Sequence, residues 1–273
     1  MSIASSFLNK DTTGKSILLW ATLNGWSMYI LSYLGVYLIA QIATGLVSEL
    51  AFGINASLHF SGLEFLLRGK SWTPESVVPV FLTSPAVAFI LGCVCLRALL
   101  KLETTGTIWK QFFFWGFLHG VNLSLGAIIS GTVAKDGIWF SLKWSSLPEP
   151  LIFALAGFCI LLLVLIGYLA SVLVFMSCDS LTLIKEGNRS MLLNAMLLFP
   201  FILGNAFVFL LKFPVANYDL GLGCSFILLV IPIYVRGKSM LVNDLVNSPK
   251  RTVVAWEVVM ATGILSILVK ILL

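Results

Sequence analysis

Charge is what this sequence has least of. Asp, Glu, Lys and Arg supply only 11% of its 273 residues, against ~25% in soluble domains, while apolar residues supply 59%. A soluble fold of this size has too little polar surface to enclose that much hydrocarbon, so a water-soluble globule is excluded. Only two histidines are present, His59 and His119, and no catalytic, nucleotide or metal-ligand spacing accompanies them; no cofactor is expected. The five cysteines, Cys93, Cys95, Cys159, Cys178 and Cys224, lie inside apolar runs or at their ends, not in loops. That excludes a disulfide scaffold. Cys93 and Cys95 would point roughly 160° apart on a helix, so they do not form a zinc pair and read as packing thiols. The net charge of +5 is spread thinly and forms no clustered basic face, which excludes nucleic acid as a partner. No Pro-, Ser- or Gly-rich linker divides the chain, which reads as a single integral membrane domain, 1–273. Met1–Lys15 lacks an apolar signal-peptide core with a cleavage site behind it, so the first span is expected to act as an uncleaved anchor.

What is present is a series of long apolar runs. Charge-free stretches cover Ser16–Ser48, Ser76–Leu96, Gln111–Ala134, Pro150–Cys178, Ser190–Leu211 and Leu220–Val235, and a last run, Thr252–Leu273, carries Glu257 and Lys270. A bilayer core ~30 Å thick needs about 20 apolar residues per helical span. Runs of this length also exclude the alternation of a membrane β-barrel. The predicted fold is therefore all-α: a polytopic transmembrane bundle of about seven spans, six being the alternative, near 20–48, 77–97, 112–133, 150–177, 191–211, 220–235 and 252–271. Between the first two spans, Ile54–Ser61 alternates apolar and polar residues, the period of a half-buried strand. Gly62 is placed to turn it, and Leu63–Leu67 to pair back or lie on the membrane surface. With seven spans, one side of the membrane carries 11 Lys and Arg and the other 6 of the 17 present. The positive-inside rule then predicts a cytoplasmic N-terminus and places the strand loop outside, with a bacterial-type cytoplasmic (inner) membrane as the expected location.

The first run is too long for one crossing: 33 residues make ~50 Å of helix. Trp20 and Trp26 suit an interfacial belt, so Ser16–Trp26 is expected to lie along the membrane surface and turn at Asn24-Gly25. Farther along this run, Gln41, Thr44 and Ser48 share one side with Asn24 and Ser27, a side expected to face protein. In the third run, Gly116, Gly120 and Ser124 recur every four residues, and Gly131 extends the series. Such faces allow close helix approach and suit helix packing or a protein partner. Beside them lies a polar stripe with His119 and Asn122. At one rise per residue, His119, Asn194 and Glu257 fall ~13, ~8 and ~9 Å from their flanking charges. Three polar groups at similar depth make a candidate site, with His119 and Glu257 as a proton relay. Pro85 and Pro200 are candidate kinks or breaks at corresponding positions of two three-span halves, a pattern found in inverted-repeat transporters.

The segment Leu38-Ile39-Ala40-Gln41-Ile42-Ala43-Thr44-Gly45-Leu46, followed by Phe52-Gly53 and a strand, resembles the first catalytic helix of site-2 intramembrane metalloproteases. Their His-Glu-x-x-His falls on Ala40, Gln41 and Thr44 here, so both zinc ligands and the general base are absent. The resemblance implies at most an inactive relative, and no catalytic residue is carried over. Three functional classes are compatible with these features. Small-residue faces and scarce intramembrane charge point first to a non-catalytic subunit or assembly factor, with the lipid bilayer and a protein docked on a small-residue face as its partners. Pro-interrupted spans with His119, Asn194 and Glu257 point to a small permease or ion-coupled transporter. An enzyme comes last, because acid–base chemistry needs more titratable groups in reach than these spans hold.

Overall fold

The computed structural model describes residues 14–102, 107–178, 189–239 and 254–273. The N-terminal polar segment and the start of the last run at Thr252 lie outside them. The chain folds as an all-α bundle with one small sheet. Its elements are α1 (Gly14–Phe52), β1 (Asn55–His59), β2 (Gly62–Leu66), α2 (Pro74–Lys101), α3 (Thr107–Val121), α4 (Ala127–Ala134), α5 (Ile138–Trp144), α6 (Glu149–Met176), α7 (Arg189–Leu193), α8 (Phe199–Leu211), α9 (Asn217–Ser239) and α10 (Trp256–Leu272). Two π-helical turns, Asn122–Gly126 and Asn194–Leu198, join α3 to α4 and α7 to α8 into continuous rods. Among the described residues, six rods are long and apolar enough to cross a membrane: Leu19–Phe52, Pro74–Lys101, Ile108–Ala134, Glu149–Met176, Arg189–Leu211 and Asn217–Ser239. Their lipid-facing sides are paved with exposed Leu, Ile, Phe and Val, which water would not tolerate and a bilayer does. The protein is a membrane protein.

The seventh apolar run forms the shorter α10, 17 residues or ~25 Å long. Its course follows α1. Asn24 Oδ1 accepts the Ala255 N–H at 3.0 Å, and at the far end His59 Nδ1 donates to the Leu273 carbonyl at 3.2 Å. Lys270 Nζ donates to the Leu210 carbonyl at 3.3 Å, at the end of α8. Thus α10 runs from the N-terminal end of the bundle to the hairpin end.

The third rod is the centre, with two-thirds of its apolar window buried, more than any other rod. Glycine explains how α2 reaches it. A Cβ at Gly120 would fall 2.5 Å from Gly92 Cα and 2.6 Å from the Ala88 carbonyl oxygen, so the two backbones touch. Gly116 in the same way accommodates Cys95, whose Sγ lies 2.7 Å from where a Cβ would be. Gly131 receives the chain as it turns into α5, with Asp136 O at 2.9 Å. Ser124 is buried in the π turn. The small-residue face therefore packs within the chain.

One sequence expectation about helix shape is corrected. α1 does not turn at Asn24-Gly25; it is helical from Gly14 to Phe52. Gly25 is there for contact: a Cβ would meet Pro200 Cγ at 2.7 Å. Trp20 and Asn24 are buried, and Trp26 packs edge-on against Phe207 at 5.3 Å, so this end faces protein rather than the membrane surface. α2 continues as one helix through Pro79 and Pro85, so neither proline ends it. Pro200 acts differently, since the π turn Asn194–Leu198 lies just before it. A prolyl ring clashes with the carbonyl four residues back and offers it no N–H, and the wider turn relieves both problems.

The strand expectation is met. β1 and β2 pair antiparallel from Asn55↔Leu66 to His59↔Gly62, with Gly62 at φ +151°. Phe60 at the turn is buried, and its carbonyl accepts the Tyr37 hydroxyl at 3.2 Å. Ser48 Oγ donates to the Ile54 carbonyl at 3.0 Å. The hairpin is thus tied down over one end of the bundle.

Candidate functional site

Beneath the hairpin lies a cavity of about 240 Å³. By the ~30 Å³ share of a liquid water, that is room for about eight waters or one small solute. Its walls come from α1, α2, the hairpin, the turn before α5, and the α8–α9 connection. The three connections that sequence alternation puts on one side of the membrane therefore meet here. Polar wall positions include Gln41 and Thr44 from α1 and Ser84 from α2. Thr44 Oγ1 donates to its own helix at the Ala40 carbonyl, 2.9 Å away.

The floor is an ion pair. Lys212 Nζ lies 2.7 Å from Asp219 Oδ1, with side chains only 2% and 10% exposed. Isolated charges in such a place are costly, several kcal/mol each even after relaxation. They persist here because each neutralises the other, and because the ammonium also sits over the Tyr37 ring, 4.1 Å from its centroid. Tyr33 and Tyr37, one helical turn apart on α1, stack at 5.4 Å and 10°. The pair is local in sequence: Lys212 follows α8, and Asp219 opens α9.

Below the pair is a smaller chamber of about 30 Å³, bounded by Tyr29, Tyr33, His119, Asn122 and Asn205. Lys212, Asp219, Leu123 and Leu222 border both spaces. The ion pair thus stands between an outer cavity and an inner polar pocket. His119 is 2% exposed, and its Nε2–H donates to the Tyr29 carbonyl at 3.1 Å. Its ring is held edge-on by Tyr29 at 4.4 Å and Tyr33 at 5.4 Å. Asn122 donates to the Leu222 carbonyl and accepts from Ser225 Oγ, each at 2.9 Å. Its carboxamide occupies the space that a side chain at Gly126 would need. Tyr29 donates its hydroxyl to Asn205 Oδ1 at 3.0 Å.

Of the four polar positions singled out in sequence, the structure brings His119 and Asn122 together at this pocket. Asn194 is elsewhere, where its Oδ1 accepts the Tyr234 hydroxyl at 2.9 Å. Glu257 is exposed in the first turn of α10, and the polar and ring contacts of His119 do not include it. Similar depth along three helices does not make their side chains share a direction. Lys212 and Asp219 were missed because each reads as an ordinary loop charge. The available signal was two opposite charges seven residues apart, each abutting an apolar run across a short turn.

Among the described residues, no group of three or more His, Cys, Asp or Glu is placed to hold a metal ion. Comparison with models of known families, with characterised proteins and with solved structures found no match for this chain.

Proposed function

We propose that this protein is a small permease-type membrane protein that admits a small polar solute at the hairpin end of the bundle. The observation that carries this reading is the buried Lys212–Asp219 pair standing between an open cavity, largely apolar with Gln41, Thr44 and Ser84 on its walls, and the His119–Asn122 pocket. Ionisable groups inside membrane bundles are rare, line cavities and mark substrate or ion paths. The orientation follows from the charge count: N-terminus cytoplasmic, hairpin and cavity outward, in a bacterial-type inner membrane. The assembly-factor expectation draws no support from the Gly116–Gly120 face, because α2 already covers it.

A second reading keeps the same cavity. Ala40, Gln41 and Thr44, the positions where the resembled metalloproteases carry His, Glu and His, all line it beside the hairpin. An inactive relative of those enzymes would use that wall for binding without hydrolysis.

The test is a thermal-shift screen of the purified protein in mild detergent against small polar solutes. A ligand that binds only the folded state raises its stability by mass action. At least one solute should raise the midpoint of the parent but not of Gln41→Trp, which fills the cavity. Equal shifts in both proteins, or none across the panel, would defeat the proposal.

A further inference from the structure

If the cavity binds a solute, the reading on which this inference rests, its floor selects for the charge that solute carries. The pair is buried, and its charges are met by each other and by the Tyr33 and Tyr37 rings beside Lys212. A solute seated on the floor of the outer cavity meets both Lys212 and Asp219, which with Leu123 and Leu222 separate it from the inner pocket, a space the size of about one water. Parting the pair for an anion would satisfy Lys212 and strand Asp219, and a cation would do the reverse. Either leaves one uncompensated charge in a poorly solvating environment. A neutral solute would compensate neither. Only a solute with both signs replaces one ion pair by two.

Geometry fits this exchange. Lys212 stands at the end of α8 on a four-carbon side chain, opposite an Asp from the next helix rather than locked within one. The cavity above it has room for a molecule of about eight waters' volume and supplies uncharged polar groups at Gln41 and Ser84; the other charge on its wall, Asp136, is exposed to solvent and accepts the Gly137 N–H.

We propose that the cavity takes a small zwitterion of amino-acid type, its carboxylate meeting Lys212 Nζ and its ammonium meeting Asp219. No bond is made or broken; one salt bridge opens and two form.

The experiment uses the full-length protein in mild detergent and follows its unfolding midpoint. The probes are the common α-amino acids, β-alanine and glycine betaine. Each is matched by an acid lacking the amine (acetate, propionate), an amine lacking the acid (methylammonium, ethylammonium) and a neutral amide. The expected result is stabilisation by at least one zwitterion and by none of its charge-deleted counterparts. Binding of that zwitterion, measured by calorimetry, should weaken at least roughly tenfold in Asp219→Asn, the loss of one charge-assisted bond. The parent protein alone settles the charge question, so a poorly folding variant does not stall the test. Equal stabilisation by an acid, an amine or an amide would overturn the zwitterion assignment and leave the solute cavity standing. No stabilisation by any probe or by the wider solute panel would overturn both.

Discussion

Gly120→Ala is the smallest change that tests how the bundle is held. The added Cβ would sit 2.5 Å from Gly92 Cα, 2.6 Å from the Ala88 carbonyl oxygen and 2.6 Å from Gly92 N. That is roughly 1 Å inside the ~3.5 Å at which carbon atoms pack. All three neighbours are backbone atoms of α2, so no side-chain rotation relieves the overlap and the two helices must part. Overpacking of this kind costs about 1–3 kcal/mol, against a helix-propensity gain of about 1 kcal/mol for replacing glycine, leaving a net loss of up to about 2 kcal/mol. The control is Gly157→Ala on α6, where an added Cβ meets nothing within 4 Å. Thermal unfolding in detergent should place Gly120→Ala below the parent and Gly157→Ala level with it or above. Gly120→Leu should reduce the yield of folded protein as well. If Gly120→Ala and Gly157→Ala behave alike, the close approach of α2 and α3 is not there, and the central placing of the third rod is wrong.

Three further outcomes are expected. Asp219→Ala should destabilise by about 3–5 kcal/mol by leaving Lys212 unpaired, while Lys212→Met with Asp219→Leu should recover most of that loss, as read by thermal unfolding. Gln111 buries its carboxamide oxygen and nitrogen without hydrogen-bond partners among the described residues, so Gln111→Met should raise stability by about 1–3 kcal/mol in the same assay. His119→Ala should be damaging and Glu257→Gln within about 0.5 kcal/mol of neutral, with additive effects in the double variant, because one is caged in aromatic rings and the other exposed.

Much of the architecture was legible because membrane insertion writes itself into long stretches. The apolar runs located the rods, alternation at Ile54–Ser61 located the hairpin, and glycines four apart marked the face where α2 packs. What failed depended on contacts between distant segments. Asn24-Gly25 looks like a turn until Pro200 and Ala255 are seen to occupy its surface. His119 and Glu257 share a depth, yet depth leaves the direction of a side chain around its helix undetermined. The Lys212–Asp219 floor was hidden for a different reason. A loop charge and a buried charge look alike in sequence, and only the folded bundle, which sets Lys212 against Asp219 and the Tyr33 and Tyr37 rings of α1, reveals these two as buried.

The most direct test of the central claim, a solute cavity opening at the hairpin end, is substituted-cysteine accessibility in sealed membranes. With the five native cysteines replaced, Gln41→Cys probes the cavity wall. Ser61→Cys and Lys238→Cys mark the hairpin end and the opposite end, and exposed Leu165→Cys on α6 marks the lipid face. A membrane-impermeant thiol reagent should label Gln41→Cys from the same side as Ser61→Cys, and should leave Leu165→Cys untouched from either side. Labelling of Gln41→Cys only from the side that reaches Lys238→Cys, or from neither side, would contradict the cavity.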